Sequence, residues 1–199
     1  LIGKGRLTAV VFHELLAWDP AKAEAVLEAA EAHERGLALP PGVTVRLAAH
    51  APHSVSQPLL RALVARGGPA AIHLAESSEE SRFLATGNGD WAAFLRERVG
   101  EVPFEAPGVS PVAYADSLGV LHPRLVAAHC VQVDADDRAL LARTGTHVAV
   151  CPRSNRTRGV GIPPVPELLA AGVNVCVGTD SLASAGTLDL MDDVRALHA

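Results

Sequence analysis

Ala70-Ala71-Ile72-His73-Leu74-Ala75-Glu76 is a short apolar run that carries a histidine and ends in a carboxylate, where Ser77 opens a helical stretch. The same pattern recurs along the chain. Val43–His50 runs into Ala51-Pro52-His53-Ser54, Leu125-Val-Ala-Ala-His129 into Cys130, and Val173–Val177 into Gly178-Thr179-Asp180-Ser181. Such runs are too short for helices and are bounded by helical periodicity, so they read as strands. The strand candidates are Leu7–His13, Val43–His50, Ala70–Ala75, Arg124–Cys130, His147–Cys151 and Val173–Gly178. Helical stretches lie between them over Asp19–Leu39, Ser56–Arg66, Ser77–Leu84, Asp90–Val99, Pro111–Leu118, Asp134–Arg143 and Pro164–Ala171, and Leu188–His198 follows the last. Strands alternating with helices predict an α/β fold with a parallel sheet, and near-continuous apolar strands predict one buried on both faces. An open doubly wound sheet and a closed (β/α)8 barrel both satisfy this. No G-x-G-x-x-G follows the first strand and no P-loop is present. Gly87-Asn88-Gly89 reads as a turn, and Gly100–Ser110, with Pro103 and Pro107, as a longer loop within one domain.

Composition narrows the function. The 199 residues are 49% hydrophobic and 20% charged, enough apolar material for a sizeable core, but only 4% aromatic, so that core is built from Ala, Val and Leu. A net charge of −5, with basic residues scattered, predicts no nucleic-acid partner. No apolar run approaches the ~20 residues of a membrane span. Cys130, Cys151 and Cys176 are isolated and odd in number, which argues against a disulfide scaffold and for a reducing, cytoplasmic setting. The chain opens at Leu1, with Arg6–Val11 already strand-like, so it is expected to be part of a longer protein.

In a parallel α/β fold the carboxyl ends of the strands open onto one face, where active sites sit. His50 with His53, His73 with Glu76, His129 and Asp180 all fall there. His73, His129 and Asp180 are nitrogen and oxygen donors of the kind that bind Zn²⁺ or Fe²⁺ with a position left for water. Glu76 is placed to move protons beside such a metal, the apparatus of hydrolysis at an electron-poor carbon. Taken singly, each has a structural reading: a hydrogen-bonded histidine, a carboxylate opening the helix at Ser77, an aspartate capping a turn. Their coincidence at consecutive strand ends favours chemistry. His33 and His198 read as solvent-facing, His122 as a turn residue and His147 as packed at a strand start.

Five ordered segments, Ala51-Pro-His-Ser54, His73-Leu-Ala-Glu76, Ala128-His-Cys130, Cys151-Pro-Arg-Ser-Asn155 and Gly178-Thr-Asp-Ser181, resemble the amidohydrolase superfamily, in its branch of metal-dependent deaminases and chlorohydrolases. The resemblance runs from about Leu7 to the chain end and implies a TIM-type (β/α)8 barrel. It implies His73 as the metal ligand of the fifth barrel strand and Asp180 as that of the eighth, with Asp180 also taking a proton from the attacking water. Glu76 would protonate the substrate ring nitrogen and then help deliver a proton to the leaving amine. His129 would hold the attacking oxygen at the metal centre, and His53, Arg153, Asn155 and Ser181 would meet the substrate. Ser154-Asn155 also has a purely structural reading as an Asx-type turn. The family's His-x-His pair on its first strand is absent, as is its flanking β-sandwich. Residues 1–199 are therefore expected to hold strands three to eight of the barrel, as a partial chain or, alternatively, as a short homologue that has lost metal catalysis. Glu14, in the third-strand region, reads equally as a substrate contact and as a solvent-facing residue. The implied activity is deamination of an adenine nucleoside (6-aminodeoxyfutalosine, 5′-methylthioadenosine or S-adenosylhomocysteine) with release of ammonia, using Zn²⁺ or alternatively Fe²⁺. A homodimer is compatible with the resemblance. An amide or C–Cl hydrolase of the same superfamily would release no ammonia from purines, and a non-catalytic barrel remnant would bind no metal.

Overall fold

In the computed structural model, which describes residues 8–197, six strands alternate with helices. The strands are β1 (Ala9–Leu15), β2 (Val43–Ala49), β3 (Ala70–Leu74), β4 (Leu125–His129), β5 (His147–Val150) and β6 (Asn174–Val177). All the strand pairings are parallel, β1 with β2 and β3 through β6 in chain order. The two sheets meet where the His73 amide donates to the His50 carbonyl at 2.8 Å. A doubly wound sheet reverses its strand order at a switch point, whereas this order runs one way, as in a barrel wall. That decides between the two architectures left open by the periodicity.

The helices are α1 (Ala23–Gly36), α2 (Gln57–Arg66), α3 (Ser78–Thr86), α4 (Asp90–Val99), α5 (Pro111–Ser117), α6 (Ala135–Thr144), α7 (Pro152–Arg158), α8 (Val165–Ala170), α9 (Leu182–Ala185) and α10 (Leu190–Ala196). Their starts follow from local chemistry. Ser77 and Ser110 accept from Glu80 N and Ala113 N, and Asp134 with Asp137 forms a capping box. The stretch read as one helix from Asp19 is a short 3₁₀ turn at Pro20–Lys22 followed by α1. Gly145 ends α6 with φ +69° in the left-handed region, where a β-carbon would be strained. Residues 100–109 form the expected loop. Leu7 and His198 lie outside the described residues.

Two elements correct the sequence reading. Residues 152–158, where no helix was expected and Ser154-Asn155 had the reading of a turn, are the helix α7, opened by Pro152 and closed by Gly159; residues 182–185 add α9. The first, Pro152-Arg-Ser-Asn-Arg-Thr-Arg158, has no apolar stripe to mark a helical period, and the second is a single turn of four residues. Arg153 ties α7 to this segment. Its Nε and Nη2 donate to Asp193 Oδ2 at 2.9 and 2.7 Å, and its Nη1 donates to Ala185 O and Thr187 Oγ1 at 3.0 and 2.8 Å. Asp193, on α10, is fully buried beneath it.

The core lies between strands and helices, with Leu59, Leu74, Leu84, Leu125, Ala127, Leu141, Val148, Val150 and Leu168 all fully buried. Burial on both faces fails at the two lateral strands: Val10 and Val11 of β1 and Cys176 of β6 are exposed, because each of these strands pairs on one side only among the described residues. No described helix is long and apolar enough to cross a membrane. Truncation of the buried Leu74 to Ala is expected to cost about 2–5 kcal/mol of unfolding free energy, read by denaturant titration. Arg153→Lys, which cannot reproduce the planar fork of hydrogen bonds, is expected to lower the midpoint of thermal unfolding.

Candidate active site

Parallel pairing in register brings the strand exits together on one rim. Leu74 lies opposite His129 across β3 and β4. Among the described residues four non-glycines have a left-handed backbone, Ala75 (φ +50°), His129 (+73°), Cys130 (+47°) and Asp180 (+59°), and all sit at exits from β3, β4 or β6. Such conformations are unfavourable for residues with a β-carbon and concentrate where function constrains the chain. The backbone strain therefore coincides with the polar residues singled out by sequence.

His73 and His129 face each other, with His73 Nδ1 3.1 Å from His129 Nε2. Each ring is held from behind. His129 Nδ1 lies 2.9 Å from Asn155 Oδ1, and His73 Nε2 lies 3.0 Å from Glu14 Oε1. With these oxygens accepting, His129 Nε2 and His73 Nδ1 present lone pairs to one another, an arrangement that a shared proton or a divalent cation satisfies. The Glu14 hydrogen bond is the main reason His73 is held above the ordinary imidazole value, and the same bond holds Glu14 below the usual carboxylate range. His50 completes a group with Glu14 and His73 in which one donor atom from each lies within 4.8 Å of the others. Its pKa is lowered, chiefly by burial and then by the charge of His73. The donor set suits Zn²⁺ or Fe²⁺, being imidazole and carboxylate with no thiolate.

Asp180 follows β6. The Ser154 hydroxyl donates to its Oδ2, as does Ser184 Oγ at 3.2 Å. Burial pushes its carboxyl up, but the Ser154 bond, the His129 charge and the Ser181 backbone outweigh it, and Asp180 lies below its usual value. Glu76 Oε1 lies 3.9 Å from His129 Nε2 and 2.7 Å from Nε of Arg158, a half-exposed side chain at the end of α7. His73, Glu76, His129 and Asp180 are thus gathered at one rim.

The residues expected to meet substrate each have a partner within the chain. Asn155 is fully buried and holds His129. Ser181 caps α9 by accepting from Ser184 N. His53 is buried against Trp91, ring centroids 4.2 Å apart, with Nδ1 3.7 Å from Glu80 Oε1. Arg153 is turned to Asp193 and the α9–α10 segment, so the structure gives its guanidinium a fastening task in place of the substrate contact expected of it. Glu14 and His50 enter the cluster although neither was chosen as a ligand. Both sit at strand ends as the chosen residues do, and this was the one signal that marked them. Burial holds Cys130 well above the usual thiol range and pushes Cys151 up to about 12, so neither is a nucleophile.

Comparison with known proteins agrees with this geometry. The model of the amidohydrolase family matches residues 17–198. An aminodeoxyfutalosine deaminase of Deinococcus radiodurans is 38% identical over 209 residues, an alignment that covers 98% of this chain and 50% of that protein. Among solved structures, Helicobacter pylori aminofutalosine deaminase in complex with methylthio-coformycin has a TM-score of 0.79 at 24% identity, covering 97% of this chain and 48% of that one. An adenosine deaminase from Xanthomonas campestris with bound zinc has a TM-score of 0.71 at 26% identity, covering 96% and 40%. The chain spans half or less of the length of these relatives. On the match along residues 17–198 and the one-way order of its parallel strands, it belongs to the amidohydrolase family and forms part of that family's (β/α)8 barrel.

Proposed function

We propose that the full-length protein is a metal-dependent aminohydrolase that deaminates an adenine nucleoside, 6-aminodeoxyfutalosine foremost, and that this chain supplies strands three to eight of its barrel. The observation that carries the reading is the facing pair of imidazoles, His73 and His129, with Glu76 and Asp180 on the same strained rim. The name of the Deinococcus relative supports the substrate class, and the zinc in the Xanthomonas structure supports the metal. The remaining ligands would come from other strands of the full-length barrel.

Zn²⁺ or Fe²⁺ bound by His73 and Asp180 would supply the Lewis acidity that makes water a nucleophile at neutral pH. The chain's own residues do the rest. Asp180, held by Ser154 and Ser184, accepts a proton from the attacking water. His129, its tautomer set by Asn155, presents Nε2 to the attacking oxygen. Glu76 gives its one proton to the ring nitrogen beside the carbon under attack, then takes the second proton of the attacking water and passes it to the leaving amine as ammonia departs; the proton held by Asp180 returns to Glu76 to close the cycle. His53 contacts the nucleoside from the loop after β2, and Ser181 from the exit of β6.

Zinc-loaded full-length protein is expected to release ammonia from one member of a panel of 6-aminodeoxyfutalosine, 5′-methylthioadenosine, S-adenosylhomocysteine and adenosine. Silence across the panel with zinc bound overturns the substrate class, and a wild-type protein that binds no zinc overturns the metal. In the same protein His73→Ala is expected to lose zinc, measured by elemental analysis. Glu76→Gln is expected to keep zinc while kcat falls by about 10²- to 10⁴-fold.

A further inference from the structure

Glu80 is a fully buried carboxylate that the mechanism above does not use. It stands at the third position of α3, in Ser77-x-x-Glu80, and Ser77 Oγ accepts from its backbone N–H at 3.2 Å. In a capping box the acidic residue turns back to the N–H of the cap itself. The Asp134–Asp137 pair does this, with Asp134 N donating to Asp137 Oδ2 at 3.4 Å. Glu80 reaches further back. Its Oε2 accepts from Glu76 N at 2.8 Å and its Oε1 from Ala75 N at 3.2 Å, so it grips the exit of β3 and not the start of its own helix.

That exit is the turn on which Glu76 rides. Ala75 is left-handed, and its carbonyl accepts from Val131 N and Gln132 N at 2.9 and 2.8 Å. With Glu80 on its amide, this residue is fastened on both sides, and the Glu76 amide is fastened beside it. The same Glu80 Oε1 lies 3.7 Å from His53 Nδ1, a buried nitrogen with no hydrogen-bond partner. Among the described residues no Lys or Arg lies within ion-pair distance of Glu80. Its charge therefore acts on His53 and on the two amides, and a carboxylate beside Nδ1 favours a hydrogen on that nitrogen, leaving Nε2 as the acceptor. Only a carboxylate accepts with both oxygens. A glutamine would set its amide group against one of the two backbone N–H groups.

We infer that Glu80 is a positioning residue that places the Glu76 carboxylate and fixes the tautomer of His53, coupling a proton donor to a substrate contact through one buried charge. This rests on the roles proposed above for Glu76 and His53. The test is Glu80→Gln in the zinc-loaded full-length protein, with kinetics on 6-aminodeoxyfutalosine and the His53 tautomer read from imidazole ¹⁵N shifts. At unchanged zinc content kcat is expected to fall by about 10- to 100-fold, as for a displaced reacting group. His53 is expected to carry its hydrogen on Nδ1 in the wild type and to lose that preference in the variant. A wild-type kcat and an unchanged tautomer, with only a lower unfolding midpoint, would reduce Glu80 to a structural residue and overturn the inference. If Glu80→Gln does not fold, Glu80→Asp carries both readouts: the retained charge keeps the His53 tautomer while the shorter side chain releases the Ala75–Glu76 turn and lowers kcat. A wild type inactive on every nucleoside strikes the proposed function alone. The tautomer shift, together with the Glu76 position in a crystal structure of the variant, then decides for or against Glu80.

Discussion

Parallel register between β3 and β4, with Leu74 opposite His129, is the constraint on which the site depends. Parallel strands carry all their carboxyl ends to one rim, and an in-register ladder sets those ends level. Strict alternation along the strand would set His129 on the face of Leu74, away from His73. The left-handed backbone at His129 (φ +73°) breaks that alternation, and the two imidazoles, 56 positions apart in sequence, meet at 3.1 Å. Past this rim the chain must turn sharply into the next helix, and the turns at Ala75, His129, Cys130 and Asp180 do so in a conformation that costs free energy at residues with a β-carbon. The buried ladder and the packed helices behind it supply the stabilisation that holds these turns.

Electrostatics then gives each group a task. Asn155 and Glu14 orient the two facing imidazoles from behind, and the Ser154 hydroxyl leads the influences that hold Asp180 below its usual value. Burial holds the Cys130 and Cys151 thiols above the usual range, and the polar groups at the rim are imidazole and carboxylate. Arg153 lies next to this set in sequence yet is drawn to the opposite side by Asp193, which would otherwise be a buried, unpaired charge.

Much of this was legible in the chain. Apolar runs ending in His, Glu or Asp marked the strands and the rim, since strand periodicity and burial are written directly in residue type. The helices α7 and α9 were not legible, because Pro152-Arg-Ser-Asn-Arg-Thr-Arg158 has no apolar stripe to show a period and α9 is a single turn of four residues. Nor was the division of labour within Arg153-Ser154-Asn155, where three polar neighbours on one helix point to Asp193, Asp180 and His129 respectively. Sequence spacing places such residues on an element without saying which partner another element will offer.

By itself the sequence determined the α/β class and the strand candidates and marked His73, Glu76, His129 and Asp180 as strand-end polar residues, because hydrophobic pattern and residue chemistry are local properties. Tertiary structure alone decided the one-way strand order over a doubly wound sheet, the entry of Glu14 and His50 into the cluster and the grip of Glu80 on the β3 exit. Each of these depends on atoms from distant or separately folded segments coming within about 3–5 Å, and contacts of that kind are set by how elements pack and not by what any one of them contains.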